Sequence, residues 1–301
     1  MSHTYRALDV PVDGGHLRVG VWDVDGDPGA PTALLVHGVT ASHQSWPMVA
    51  DRLPGVRLVA PDLRGRGRSE ADGEAGMAVH AADLVRVLDH LGIESTLVVG
   101  HSMGAFVSVV LAHQHPERVD RLVLVDGGLP LDVPAGLTAD ELVRLVLGPA
   151  AERLAMRFAS VEDYLDFWRP HPAFADAWSD TVENYLAYDL VGEEPQLRPA
   201  TRYEVMATDT EDLNTGSALV TALEGLRHPA VLLTAPRGLL DQVPGLYPAD
   251  RLAAMLPQTP SVRAEEVPDV NHYTIVMSPE GADAVAECVR AELGQRPASV
   301  D

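Results

Sequence analysis

The chain is 301 residues long and 46% hydrophobic, which is enough to bury one large core. Its formal net charge of −22 at pH 7 repels phosphate backbones and anionic lipid surfaces, so neither nucleic acid nor a membrane is an expected partner. All 22 basic residues are arginine, which excludes chemistry that needs a lysine amine, such as a Schiff base or a P-loop phosphate site.

Cysteine use and the N-terminal segment bear on the cellular compartment. Cys288 is the only cysteine, so the chain can form no internal disulfide and has no cysteine cluster for a structural zinc. Residues 1–10 lack the basic segment and apolar run of a signal peptide, and no run of about 18 apolar residues occurs. These features favour a soluble cytoplasmic protein.

The first strong pattern is a hairpin: two extended stretches, residues 5–10 and 16–22, flank Asp13-Gly14-Gly15. After it, short apolar runs suited to strands buried on both faces alternate with helical patterns. The predicted strands are residues 33–36, 56–60, 97–99, 122–125, 230–234 and 262–267, and the predicted helices are residues 42–53, 77–91, 103–113, 248–255 and 279–293. This alternation predicts an α/β fold with a mostly parallel sheet and helices on both faces.

Residues 127–228 interrupt the alternation, because they offer several helical segments and no convincing buried strand. We therefore expect a core made of residues 1–126 and 229–301 and a mainly helical cap made of residues 127–228. Nine of the fifteen aromatic residues lie in this insertion: Phe158, Tyr164, Phe167, Trp168, Phe174, Trp178, Tyr185, Tyr188 and Tyr203. They either form the cap's own small core or line an apolar pocket above the sheet.

The strongest local signal is Gly100-His101-Ser102-Met103-Gly104, which follows one predicted strand and opens the next predicted helix. A G-x-S-x-G motif between a strand and a helix is a nucleophile elbow. Its glycines allow a sharp turn, and the helix behind it directs free N–H groups toward developing negative charge. Ser102 is therefore the predicted nucleophile.

A serine hydroxyl needs a base whose pKa lies near neutrality, and His272 is the best-placed of the twelve histidines. It lies in the loop after a late predicted strand, where the chain order Ser…acid…His requires the base. The alternative is an ordinary histidine on a surface loop.

The third member should be a carboxylate that fixes the imidazole tautomer. Asp241, in the loop after predicted strand 230–234, is the preferred candidate, although its loop is somewhat long. Asp126, at the end of the preceding strand, is the rival, because the carboxyl ends of neighbouring strands open onto one crevice. Asp269 is nearer His272 in sequence but is better suited to support the turn.

An oxyanion hole requires backbone donors, and the N–H of Met103, directly after the nucleophile, is the first candidate. The second is the N–H of Val39, in the loop after predicted strand 33–36, where Gly38 permits close approach of the backbone to a substrate. His37 is expected to form structural hydrogen bonds. The candidate substrate-binding residues are Gly38, Trp46, Trp168 and Trp178, although Trp46 could instead be a packing residue.

Taken together, these residues resemble the α/β-hydrolase superfamily over most of the chain outside the cap. The run Pro61-Asp62-Leu63-Arg64-Gly65-Arg66-Gly67-Arg68-Ser69 resembles the superfamily's loop after its fourth strand, which is structural and borders the pocket; a basic phosphate site is the alternative. The resemblance implies an eight-stranded sheet, a cap between strands six and seven and Ser-His-Asp acyl transfer.

The expected activity is hydrolysis of an ester, thioester or lactone with a largely apolar part, by way of an acyl-enzyme. A small-molecule substrate is the expected partner, and no metal or organic cofactor is implied, since H-E-x-x-H, Walker A and G-x-G-x-x-G signatures are missing. The alternatives are cleavage of a carbon–carbon bond in a diketone-type substrate and a hydrolase-like fold that only binds a ligand. Epoxide opening is disfavoured because position 102 is not a carboxylate.

Overall fold

One sheet organises the chain in the computed structural model, which describes residues 2–132, 136–138, 140–141, 143–144 and 148–294. The remaining positions include part of the predicted cap and residues 295–301 of the predicted second core segment, and these lie outside the described residues. Within the described residues, no helix is both long enough and apolar enough to cross a bilayer.

In the described part of the chain, nine strands form the main sheet and two form a small ribbon. They are β1 (His3–Val12), β2 (Gly15–Val24), β3 (Thr32–Val36), β4 (Arg57–Pro61), β5 (Glu70–Ala71), β6 (Thr96–His101), β7 (Val119–Val125), β8 (Leu190–Val191), β9 (Arg198–Pro199), β10 (Ala230–Thr234) and β11 (Val262–Glu266). The sheet order is β1-β2-β4-β3-β6-β7-β10-β11, with β5 paired to β2 at one side. The β1/β2 and β2/β4 pairs are antiparallel, and every pair from β4 to β11 along this path is parallel.

Helices cover this sheet and fill the long connection between β7 and β10. They are α1 (Pro47–Ala50), α2 (Met77–His90), α3 (Met103–Gln114), α4 (Pro149–Glu152), α5 (Val161–Trp168), α6 (Asp180–Tyr188), α7 (Tyr203–Thr215), α8 (Ser217–Glu224), α9 (Ala249–Met255), α10 (Thr274–Met277) and α11 (Pro279–Leu293). The predicted mostly parallel sheet of about eight strands, flanked by helices, is thereby confirmed.

The central strands are mainly apolar because both of their faces are buried. In β3, Ala33 and Leu35 enter one hydrophobic cluster, whereas Leu34 and Val36 enter a second cluster. The same alternation continues in β6, β7 and β10, as expected for side chains that point to opposite faces at successive positions. Two cores on opposite sides of the sheet hold the carboxyl edge of the strands in place.

Local sequence signals explain several helix boundaries. Helix α11 begins with Ser278 as N-cap, whose Oγ accepts from Gly281 N–H at 3.2 Å, and with Pro279 at the first helical position. The predicted helix over residues 42–53 is wrong: a 3₁₀ turn at His43–Ser45 precedes a separate four-residue helix, α1. Pro47 has no N–H to continue the first turn, so it starts a new helix instead.

The described parts of residues 127–228 are mainly helical, from α4 to α8, with β8 and β9 as a two-residue antiparallel ribbon. Seven of the nine aromatic residues there belong to or pack against the core that also contains Trp46 and Ile275: Phe158, Tyr164, Phe167, Trp168, Phe174, Trp178 and Tyr185. The division into two core segments and a cap stays a prediction.

Candidate active site

Ser102 lies on a strained turn between β6 and α3. Its backbone has φ 53° and ψ −125°, a conformation that non-glycine residues rarely adopt. Its N–H donates to Val125 O at 2.9 Å, which ties the turn to the end of β7. A Cβ at Gly100 would lie 2.4 Å from Gly104 O, and one at Gly104 would lie 2.1 Å from Val36 O. Both glycines of the motif are therefore required by close backbone contacts, and the hydroxyl is held at the strand's carboxyl end.

His272 meets this hydroxyl from the loop after β11. Its Nε2 lies 3.0 Å from Ser102 Oγ, within the range of a hydrogen bond, and the residue is almost completely buried. Asn271 organises the loop: its Oδ1 accepts from the N–H groups of Tyr273 and Thr274, and its own N–H donates to Thr274 Oγ1 at 2.7 Å. The sequence prediction that Ser102 and His272 come together agrees with this geometry.

The carboxylate beside the imidazole is that of Asp126. Its Oδ2 lies 2.6 Å from His272 Nδ1, its Oδ1 accepts from Ala235 N–H at 3.1 Å, and its side chain is fully buried. Asp126 directly follows β7, which pairs in parallel with the β6 strand that precedes Ser102. Because β6 and β7 are neighbours, Ser102 and Asp126, which follow their carboxyl ends, lie close together.

The prediction that Asp241 is this carboxylate is wrong. Asp241 Oδ1 instead accepts from Arg237 Nε at 2.7 Å and from Asn271 Nδ2 at 2.9 Å, and over a third of its side chain is exposed. The loop after β10 carries it seven residues beyond Thr234, away from the strand ends. Asp241 thus contacts the neighbour of the base and not the base itself.

Two further imidazoles near Ser102 are buried and neutral. His101 Nε2 lies 2.8 Å from the carbonyl oxygen of His272, so this nitrogen carries the proton and donates it. Burial, with a smaller contribution from nearby His272, lowers the pKa of His101 to about 3. His37 donates from Nδ1 to Gly38 O and accepts Leu63 N–H at Nε2, both at 2.8 Å, and burial lowers its pKa to about 4. Both rings act as structural hydrogen-bonding groups near neutral pH.

The predicted oxyanion donors lie beside the nucleophile. Val39 and Met103 both line the cavity at Ser102, and Met103 is the first residue of α3, where backbone N–H groups have no partner within the helix. A Cβ at Gly38 would lie 3.2 Å from Ser102 Cβ, so any larger residue would crowd Ser102 unless the two moved apart by a few tenths of an ångström. The positions of Val39 and Met103 are consistent with an anion-binding pocket, and the donor roles of their N–H groups stay predictions.

A cavity opens at Ser102 and is lined mainly by apolar side chains. Gly38 lines it as predicted. The lining among described residues contains no arginine, aspartate or glutamate, and its larger side chains are Met103, Phe106, Leu131, Tyr185, Leu213, Leu239, Leu246, Tyr273, Val276 and Met277. Leu131, Tyr185 and Leu213 belong to residues 127–228, and the others belong to the two predicted core segments. Apart from Met103 and Tyr185, no sequence pattern singled out these residues, because apolar side chains at such positions also suit core packing.

The three tryptophans predicted to bind substrate do not line this cavity. Trp46 is fully buried and packs edge-on against His101 at 6.5 Å between ring centroids. Trp168 is buried among aromatic rings, with the Arg153 guanidinium 5.2 Å from its centroid. Trp178 Nε1 donates to Glu183 Oε1 at 2.7 Å. Of the aromatic residues of the insertion, Tyr185 does line the cavity, so most of this group forms a packed core.

Among the described residues, no three His, Cys, Asp or Glu side chains converge as a metal site. The predicted independence from metals and cofactors stays a prediction.

Comparison with known proteins adds a family and several relatives. A family model for the alpha/beta hydrolase fold matches residues 31–204. Lipase LipV of Mycobacterium tuberculosis is 34% identical over 169 residues, which cover 55% of this chain and 58% of the lipase. The 2-hydroxymuconate semialdehyde hydrolase of Pseudomonas putida is 40% identical over 111 residues, which cover 35% of this chain and 40% of that enzyme. These matches span between two fifths and three fifths of the relatives' lengths.

A solved structure extends the likeness to nearly the whole chain. E-2-(Acetamidomethylene)succinate hydrolase superposes with a TM-score of 0.78 at 20% identity, covering 97% of this chain and all of that chain. At this identity the likeness shows the shared fold alone.

Proposed function

Because this chain belongs to the alpha/beta hydrolase family, we propose that it is a serine hydrolase that cleaves a carboxylic ester, thioester or lactone of a largely apolar substrate. The observation that carries the proposal is the continuous hydrogen-bonded series Ser102 Oγ, His272 and Asp126, at 3.0 and 2.6 Å, at the base of an apolar cavity. Nucleophile, base and orienting carboxylate are the parts that acyl transfer requires.

In the proposed mechanism, His272 Nε2 removes the Ser102 proton as Oγ attacks the carbonyl carbon of the substrate. Asp126 accepts the Nδ1–H of the imidazole, which leaves Nε2 unprotonated and facing Oγ before attack. The buried carboxylate then stabilises the imidazolium that forms. The protonated Nε2 donates to the leaving alcohol or thiol, and a water activated by the same imidazole cleaves the acyl-enzyme.

The N–H groups of Val39 and Met103 are the proposed donors to the oxyanion of the tetrahedral intermediate. Preorganised backbone donors of this kind contribute roughly 100- to 1,000-fold per donor. The close approach of Gly38 to the Ser102 side chain supports this role, because it brings the loop after β3 to the nucleophile.

The cavity supports an uncharged, apolar substrate part. Transfer of an ionised carboxylate from water to such a lining is strongly unfavourable without a partner charge, and the described lining residues supply none. We further propose that residues 127–228 form a cap over this site, since Tyr185, Thr210 and Leu213 from this region contribute to the lining.

Cleavage of a carbon–carbon bond is the second candidate, because His272 and Asp126 could activate either Ser102 or a water molecule. The match to 2-hydroxymuconate semialdehyde hydrolase, 40% identical over 111 residues, is the observation that favours carbon–carbon cleavage. The ester reaction is preferred because of the uncharged lining and because the lipase match covers a larger share of the chain, 55%. A binding protein without activity is disfavoured by the assembled Ser102, His272 and Asp126.

The test is a panel of neutral p-nitrophenyl esters, aliphatic lactones and acyl thioesters, with an uncharged β-diketone as the carbon–carbon substrate. We expect kcat/KM to be highest for one of the first three classes and to fall to background in Ser102→Ala. Ser108→Ala is the matched control, because Ser108 lies buried on the same helix and donates to Gly104 O. Preference for the diketone would support the second candidate, and no turnover of any class would favour the binding protein.

A further inference from the structure

Arg66, in the loop after β4, contacts both proposed oxyanion residues from a fully buried position. Its Nε donates to Val39 O at 2.9 Å, and its Nη2 lies 3.8 Å from Met103 Sδ. Its Nη1 donates to Arg64 O at 2.9 Å and to Asp209 Oδ2 at 2.5 Å. This side chain is too deeply buried for the phosphate site that was the alternative for its loop, whereas its buried hydrogen bonds are of the structural kind expected there.

The partner carboxylate, Asp209, lies on α7 in the proposed cap. Its Oδ1 accepts from Gly76 N–H at 2.7 Å, and its Oδ2 lies 2.9 Å from His80 Nε2. Burial opposes ionisation of Asp209, but Arg66 and His80 outweigh it and lower the pKa to about 2. The charge pair is therefore present throughout the neutral range, and α7 also supplies Thr210 and Leu213 to the cavity wall.

We propose that Arg66 is a positioning residue of the oxyanion hole: it holds the Val39 carbonyl group in place and links the loop after β3 to helix α7 through Asp209. This inference rests on the proposed function. A guanidinium suits the role because its planar fork directs several N–H donors at fixed angles, so one group can bind Asp209, Arg64 O and Val39 O together. The hydrogen bond to the Val39 carbonyl restricts rotation of the residue whose N–H faces the developing charge.

Arg64, two residues earlier, provides an internal comparison. It is equally buried and donates from Nε and Nη2 to Asp83 at 3.0 and 2.9 Å, but its other contacts are the carbonyl oxygens of Asp13 and Asp72. These lie at the hairpin turn and after β5. Arg64 is thus buried and paired with an aspartate, as Arg66 is, but its side chain does not contact the loop after β3 that contains Val39, here called the oxyanion loop.

The first experiment compares Arg66→Lys with Arg64→Lys in the full chain. A lysine at position 66 keeps the positive charge next to Asp209, but its single ammonium group cannot also reach the carbonyl oxygens of Val39 and Arg64. Using a p-nitrophenyl ester that the wild type hydrolyses, we expect Arg66→Lys to lower kcat by about tenfold or more with little change in KM, because misplaced oxyanion donors weaken only the transition state. Arg64→Lys should keep kcat within about twofold after both variants are matched for folded fraction by thermal melting.

A binding measurement separates positioning from general loosening. The ratio of the Ki of 3-phenylpropionamide, which is uncharged and planar at its carbonyl, to that of 2-phenylethylboronic acid reports preference for a tetrahedral adduct at Ser102. We expect this ratio to fall about tenfold in Arg66→Lys and to stay constant in Arg64→Lys. Equal effects on kcat and on the Ki ratio in the two variants would overturn the role of Arg66, whereas a wild type that neither hydrolyses esters nor binds the boronate would overturn the proposed function itself.

A second pair of variants decides the question if Arg66→Lys does not fold. Asp209→Asn keeps the shape of the partner and removes its charge, and Asp83→Asn does the same for Arg64. Loss of kcat at constant KM in Asp209→Asn alone would support the coupling of α7 to the oxyanion loop. Equal kcat in both variants would contradict it.

Discussion

His272 Nδ1 lies 2.6 Å from Oδ2 of Asp126, although 146 residues separate them in the chain. The other oxygen of Asp126 is fixed by the N–H of Ala235, so the carboxylate has a single orientation. The His272 imidazole is therefore oriented by a residue at the end of β7, next to the strand that precedes Ser102. This arrangement determines which acidic residue should matter for turnover.

Asp126→Asn should lower kcat by roughly 1,000- to 10,000-fold, because an amide can donate to Nδ1 and stabilise the wrong imidazole tautomer. Asp241→Asn is the matched control and should change kcat by less than about fivefold, since its contacts are with Arg237 and Asn271. Steady-state ester hydrolysis measures both. A larger loss of kcat in Asp241→Asn than in Asp126→Asn would show that the acid has been misassigned.

The free energy of unfolding should fall as the pH drops below 6.5, because burial lowers the pKa of His37 and of His101 in the folded chain. The pKa of His37 is lowered by burial from 6.5 to about 4, so below pH 6.5 the unfolded chain binds a proton that the folded chain does not. For this one group the free energy of unfolding should decrease by about 2 kcal/mol between pH 7 and pH 5.

The check is urea denaturation of the wild type and of His37→Asn at both pH values. Asparagine can still donate to one neighbour and accept from another, but it does not titrate. The variant is expected to be less stable at pH 7 and to lose about 2 kcal/mol less than the wild type on going to pH 5. Parallel losses in the two proteins would rule out His37 as a source of the acid sensitivity.

The uncharged cavity lining predicts discrimination against anionic substrates. The wild type should hydrolyse p-nitrophenyl butyrate with a kcat/KM at least about tenfold higher than that for mono-p-nitrophenyl succinate, because the described lining residues include no arginine to pair with the carboxylate. Leu239→Arg, at a lining position, should reduce this ratio. Leu240→Arg is the control, because Leu240 is 46% exposed and does not line the cavity. A ratio that changes equally in both variants would contradict a role for the lining.

Several features of the fold were predictable because they depend on local sequence. The apolar runs of β3, β6, β7 and β10 mark strands buried on both faces, and Ser278 with Pro279 marks the start of α11. The elbow at Ser102 was equally accessible, because its glycines are required by contacts that lie within a few residues or at the neighbouring strand.

The pairing of Asp126 with His272 and the packing of the three tryptophans outside the cavity were not predictable in the same way. The choice between Asp126 and Asp241 depends on which strand end the His272 loop reaches, a property of sheet order and loop path. The position of Asp126 directly after a strand was the available signal. Tryptophans are typical of binding sites, but Trp46 packs against the His101 ring, and Trp168 and Trp178 lie against the guanidinium groups of Arg153 and Arg169. The burial of Arg66 likewise depends on α7, more than 130 residues away in the chain.

The central claim, that Ser102 is a nucleophile activated by His272, is tested most directly by covalent labelling. A fluorophosphonate probe should add once per chain, and peptide mass spectrometry should locate the adduct on Ser102. Ser102→Ala should abolish labelling, and His272→Asn should slow it by at least about 100-fold while leaving the thermal melt close to that of the wild type. An adduct on another residue, or undiminished labelling of Ser102→Ala, would contradict the account.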